Sequence, residues 1–143
     1  MATTNKKKVN HAQRFEHVRA AHQIEVAEDY VEMIADLIAT LGEARAVDLA
    51  ERFGVTSATV NNTIARLQRD GLVESQPYRS IFLTKKGQLM AEQSHDRHQV
   101  VLNFLKTIGV SDATAQMDAE GVEHHVSEET LKAFKKVIRK NSL

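Results

Sequence analysis

The chain has no cysteine, a single proline and no apolar run that approaches the length of a membrane span. Without cysteine there is no disulfide framework, no thiolate zinc site and no thiol nucleophile, so any metal must be held by oxygen and imidazole. Net charge is missing too: 19 Lys/Arg balance 19 Asp/Glu, which argues against a protein that coats nucleic acid. Nor is there a Ser-His-Asp arrangement or a glycine-rich phosphate loop. The start, Met1 to Asn10, is polar and basic without an apolar h-region. No signal peptide or membrane partner is expected, and a cytoplasmic location is the default. What remains is ordinary globular composition, 42% hydrophobic and 27% charged over 143 residues, enough for about one to two small domains.

The charge is distributed in blocks. Seven Lys/Arg stand against four Asp/Glu from Arg45 to Lys86, whereas Glu25 to Asp36 carries five acidic residues and no basic one. Asp118 to Glu129 is likewise acidic without Lys or Arg. The alternation suggests one surface for polyanions and another for cations. Within the last block lies Glu120-Gly121-Val122-Glu123-His124-His125. If that segment is helical, Glu120, Glu123 and His124 stand at i, i+3 and i+4 and converge, where like charges repel unless a cation sits among them. A divalent-metal site and a solvated acidic face beside a helix end both fit this cluster.

From His22 to Leu41 the positions Ala27, Tyr30, Val31, Ile34, Leu37, Ile38 and Leu41 have the spacing of an amphipathic helix, with Gly42 as its stop. Along its other side runs an acidic row, Glu25, Asp29, Glu32 and Asp36, of which only the middle is expected to be functional. Arg45 to Asp70 reads as a helix from Ala46 to Arg52, a break at Gly54 and a second helix from Ser57 to Arg69. That is helix-turn-helix spacing, shared with helical hairpins in general. Thr56, Ser57, Thr59, Asn61 and Asn62 give the start of the second helix short donor–acceptor side chains suited to a DNA groove. Two β-favouring runs, Leu72 to Ser75 and Ser80 to Leu83, flank a turn at Pro77 and make a wing, with Arg79 at its tip. Thr84 caps a long helix from Lys85 to Thr107, Ser111 a helix through His124, and Ser127 the last helix. The apolar surface of these three is economically covered by dimerisation.

Taken together, Glu28-Asp29-Tyr30-Val31-Glu32, Thr59 to Leu67, Arg69-Asp70-Gly71-Leu72-Val73, Leu83-Thr84-Lys85-Lys86-Gly87, Arg97-His98 and Ala119 to His125 resemble the manganese-responsive branch of the diphtheria toxin repressor family of metal-dependent transcriptional regulators. The resemblance spans Ala27 to Ile138. It implies a mainly α fold: a winged helix-turn-helix over residues 22–86 with a small β-hairpin wing, then an all-helical metal-binding and dimerisation unit over 87–143, preceded by a basic, flexible extension over 1–21. It implies metal ligands at Asp29, Glu32, His98, Glu120, Glu123 and His124. Spacing alone leaves His98 an ordinary histidine, and His95 and His125 are expected not to ligate. DNA contacts are implied at Thr56, Ser57, Thr59, Asn61, Asn62 and Arg79, with Ala58 where iron-type members have proline. Those members also have Met and Cys at the Asp29 and Glu120 positions. Carboxylates there favour manganese (Mn2+), two ions per subunit, with iron(II) (Fe2+) able to use the same donors.

The implied protein is a homodimer that binds a double-stranded DNA operator when metal locks its two halves, represses manganese uptake genes and has no organic cofactor. Two other readings compete. A winged-helix repressor could answer to an organic ligand in a pocket lined by Tyr30, Phe82 and Phe104. A di-metal helical enzyme would need a Glu-x-x-His from each of two bundle helices and would have no use for a winged helix.

Overall fold

The computed structural model describes residues 10–76 and 78–142. The expected basic arm up to residue 9 and the Pro77 turn residue lie outside them. Among the described residues, six α-helices and one two-stranded sheet follow in the order α1 (His11–Leu41), α2 (Ala46–Phe53), α3 (Ser57–Arg69), β1 (Val73–Glu74), β2 (Phe82–Leu83), α4 (Lys85–Thr107), α5 (Asp112–Val122), a 3-10 turn (Glu123–His125) and α6 (Glu128–Asn141). No helix among the described residues is long and apolar enough to cross a membrane.

Two expectations need correction. Helix α1 starts at His11 rather than His22, so much of the extension expected to be flexible is helical. Its start is fixed by a capping box: the Gln13 amide donates to the Asn10 side chain at 2.8 Å, and the Asn10 amide donates to Gln13 Oε1 at 3.3 Å. The first turns have no core face, which is why apolar spacing misses them. The second correction concerns α5, which ends at Val122 instead of running through His124. The chain then tightens into the 3-10 turn, burying Glu123 and His124 while Glu120 stays exposed.

The winged helix forms as the spacing predicts. The strands pair antiparallel, Val73 with Leu83 and Glu74 with Phe82, and the Ile81 amide donates to the Ala44 carbonyl at 2.8 Å. Each strand is two residues long, shorter than the four-residue runs suggest. The core beneath is built from Val31, Ile34 and Leu37 of α1, Leu49 of α2 and Val60, Ile64 and Leu67 of α3. A second cluster joins Val101 and Leu102 of α4 to Ala115, Ala119 and Leu131, beside a Phe104–Phe134 stack at 3.8 Å. Helix α4 serves both, since Ala91 and Met90 pack on the first.

The start of α4 is pinned to the wing. Thr84 Oγ1 donates to the Gly71 carbonyl at 2.6 Å and accepts from the Gly87 amide at 3.1 Å, while Lys86 Nζ donates to the Asp70 carbonyl at 2.9 Å. Gly87 is required because a Cβ there would overlap the Leu72 carbonyl oxygen. Gly121 differs, since a Cβ would meet nothing within 4 Å. Gly87→Ala is therefore expected to destabilise the protein by about 1–3 kcal/mol. Gly121→Ala should be neutral or stabilising by up to about 1 kcal/mol, the helix-propensity gain. Thermal melts in excess chelator compare the two, and equal midpoints would refute the packing argument.

Candidate metal centre

The acidic side of α1 faces α4 and the 3-10 turn across a cleft lined by Glu25, Asp29, Glu32, His98 and Glu120. Against Asp29 lies the buried His124 ring. His124 Nδ1 is 3.1 Å from Glu28 Oε2, and Nε2 is 2.9 Å from Asp29 Oδ1 and 3.2 Å from Glu123 Oε1. Nε2 is nonetheless aligned for a hydrogen bond with neither neighbour. A buried imidazole nitrogen among carboxylate oxygens, without a directed partner, is an arrangement that suits a cation.

Five of the six expected ligands come together as two neighbouring groups. One joins Asp29 and His124, with Glu25 as a third member, and the other joins His98, Glu120 and Glu123; within each, the donor atoms lie within 4.8 Å of one another. Glu123 is shared electrostatically, its Oε2 lying 2.7 Å from His98 Nδ1 and its Oε1 facing His124. Glu32 belongs to neither group but stands beside both, bonded to the Ser94 hydroxyl. Burial raises its pKa, the Ser94 bond opposes the rise, and the Glu123 charge adds to it.

Three residues here escape sequence reasoning as site members. Glu28 is 4% exposed and Ser94 is fully buried, its hydroxyl donating to Glu28 Oε2 at 3.1 Å. Arg97 donates to the same oxygen at 2.8 Å and to the Glu123 carbonyl at 3.4 Å. The acidic cluster is thus not without a basic partner, as its local sequence suggests; the guanidinium arrives from α4. Burial alone would raise the Glu28 pKa, yet the bonds from His124 and Arg97 outweigh it and hold the pKa below the usual value. Glu28 follows Ala27 at the border of the core stripe, and a carboxylate at such a border is the signal available in the sequence.

The expected DNA-reading residues are all exposed. Thr56 caps α3, its oxygen accepting from the Thr59 amide at 3.2 Å, and the two hydroxyls are 3.0 Å apart. Ser57, Asn61 and Arg79 line a groove between α3 and the wing, and Asn62 is exposed beside them. The aromatic pocket of the organic-ligand reading does not form: Tyr30 stacks on Phe53, Phe104 on Phe134, and Phe82 is exposed on the wing.

Fold and site define a regulator with a winged-helix half and a helical half joined by a carboxylate–imidazole centre. Residues 22–81 match the N-terminal DNA-binding domain of iron-dependent repressors, and residues 84–142 match their metal-binding and dimerisation domain. A transcriptional regulator MntR of Escherichia coli is 51% identical over 131 residues, covering 92% of this chain and 84% of that protein. An HTH-type transcriptional regulator MntR of Lysinibacillus sphaericus is 38% identical over 100 residues, covering 70% and 72%. A solved manganese-dependent transcriptional repressor in complex with manganese is similar in fold at TM-score 0.71 and 27% identity. The manganese regulator SloR is similar at TM-score 0.69 and 25% identity. The alignments cover 79% of this chain and about half of those two, 52% and 53%. The chain belongs to the iron-dependent repressor family, among its MntR transcriptional regulators, and is a regulator rather than an enzyme.

Burial opposes charge on His124, but the carboxylates of Asp29, Glu123 and Glu28 prevail and its pKa is pushed up to about 12. A pKa raised on folding adds stability that is fully present below the unfolded value near 6.5 and erodes as pH rises toward the folded value. In excess chelator, His124→Gln should therefore lose more stability relative to the parent at pH 6 than at pH 9. Denaturant midpoints of both proteins test this; a gap that fails to shrink with rising pH refutes it.

Proposed function

We propose that this regulator represses manganese uptake and that divalent metal, held by Asp29, Glu32, His98, Glu120, Glu123 and His124, sets its dimer in DNA-binding geometry. The reading is carried by the meeting of the α1 carboxylates with a buried imidazole whose Nε2 lacks an aligned partner. The donors are oxygen and imidazole without sulfur, a set that fits manganese, while iron(II) competes for the same atoms. Two relatives of known structure are a manganese regulator and a manganese-dependent repressor, which supports the same effector here. Two neighbouring groups of donors favour two ions per subunit.

Bound there, divalent ions supply the positive charge that draws the two acidic surfaces together. Asp29 and Glu32 ride on α1, the first helix of the winged-helix half, whereas His98, Glu120, Glu123 and His124 belong to the other half. Without a counter-charge their carboxylates repel, and the spacing between winged helices in the dimer is loosely held. With it, α1 is fixed against the 3-10 turn, and the two α3 helices can meet half-sites about one DNA turn apart, roughly 34–36 Å. A complete switch needs a preference for the DNA-binding form on the order of 5 kcal/mol. Ser57, Asn61 and Asn62 would read bases, and Arg79 would contact the backbone or minor groove. Thr56 and Thr59 contribute by fixing the start of α3.

Fluorescence anisotropy of labelled DNA from the upstream region of the protein's own gene tests this, titrated in chelator and then in manganese or iron(II) at fixed salt. Affinity should rise strongly with manganese and stay at the chelator level in Asp29→Ala and Glu123→Ala. Arg79→Ala should weaken binding across sequences and reduce the salt slope by about 1. Equal affinity in chelator and in metal would leave a winged-helix protein with some other effector and end the metal-switch reading.

A further inference from the structure

We propose that Glu25 is a further ligand of the metal centre, outside the six residues the family resemblance supplies, and that His125 and His22 hold its carboxylate in place. The proposal rests on the reading of that site as a metal centre. Its geometric basis is the convergence of donor atoms from Glu25, Asp29 and His124 within 4.8 Å, the same closeness that unites His98, Glu120 and Glu123. Glu25 precedes Asp29 by four residues on α1, so the two carboxylates share one face. His124, whose Nε2 is without an aligned hydrogen-bond partner, belongs to this group.

Charge and donor count give the arrangement its sense. Asp29 and His124 offer one carboxylate and one imidazole of their own beside Glu32 and Glu123, which stand between the two groups, and a cation that prefers about six mostly oxygen donors has room for a further carboxylate. Adding Glu25 yields two carboxylates and one imidazole, matching the neighbouring group. With neutral imidazoles, each set then carries two negative charges of its own, and Glu32 adds a fifth carboxylate beside both.

Glu25 is also held as ligating carboxylates commonly are. His125 Nε2 is 3.0 Å from Glu25 Oε2, and His22 Nδ1 is 3.6 Å from the same oxygen. An imidazole N–H donated to one oxygen orients the carboxylate and leaves the other oxygen for a cation. This gives His125, the second histidine of its pair and expected not to ligate, a positioning role. His22 adds a weaker contact from one turn earlier on α1.

Equilibrium dialysis of the full chain against manganese, with the free ion read by electron paramagnetic resonance, separates the possibilities. Glu25→Gln and the shorter Glu25→Asp should each weaken one class of bound ion by at least about tenfold, while ions at the His98 group bind as before. His125→Gln should weaken the same class by a smaller factor. Glu16→Gln, on the exposed start of α1, should match the parent, as should the helical circular dichroism of every variant in chelator. Parent-like affinity and stoichiometry in both Glu25 variants would overturn the proposal and leave Glu25, His125 and His22 as surface ion pairs. If the parent itself binds no manganese, the metal-switch reading fails first, so the two failures are distinguishable.

Discussion

Negative charge buried between two helices is the constraint around which this protein is arranged. Glu123 is 1% exposed and Glu28 4%, and a carboxylate so placed is costly unless positive charge and donors surround it. The chain answers with Arg97 and Ser94 from α4 and His124 from the 3-10 turn, three groups that reach Glu28 from two directions. Glu28 is therefore satisfied by the protein alone. Asp29 and Glu123 meet only imidazoles and Glu32 the Ser94 hydroxyl, none of them a permanent cation, and the excess of acid over base is concentrated where the two halves meet. Attraction to a cation and cohesion of the halves become one interaction.

Helix α1 makes this possible because it has two working faces. Tyr30, Val31, Ile34 and Leu37 lock it into the winged-helix core, and Glu25, Asp29 and Glu32 point into the cleft. A movement of the acidic face relative to α4 is necessarily a movement of the DNA-binding half, since the same backbone carries both sets. The opposing charge blocks are separated along the chain for a related reason. Arg79 and the polar start of α3 lie on the wing side, away from the carboxylates that would repel a phosphate backbone.

Most of the architecture could be read from spacing. The helix-turn-helix, the wing and the caps at Thr84, Ser111 and Ser127 follow from periodicity and local side-chain chemistry, and those caps form as expected. The early turns of α1 were hidden because their apolar residues, Phe15, Val18 and Ile24, are sparse and exposed rather than part of a core stripe, although the Asn10–Gln13 pair is itself a start signal. The site was legible only where its residues cluster along the chain. His98 has no local pattern and came from family resemblance, while Glu28, Ser94 and Arg97 meet across more than sixty residues of chain. Such contacts are fixed by the packing of α1 against α4, which periodicity within either helix does not encode. The end of α5 was missed because a 3-10 turn and an α-helix have similar sequence preferences over so short a segment.

The anchorage of Gly87 against Leu72 has a mechanical meaning. Thr84 and Lys86 reinforce the same junction, so the first turn of α4 and the base of the wing form a clamped joint with no room for sliding. His98 stands eleven residues further along the same rod, roughly 16 Å at about 1.5 Å per residue. A helix held at that end ties the position of His98, 2.7 Å from Glu123, to the base of the wing through one continuous backbone.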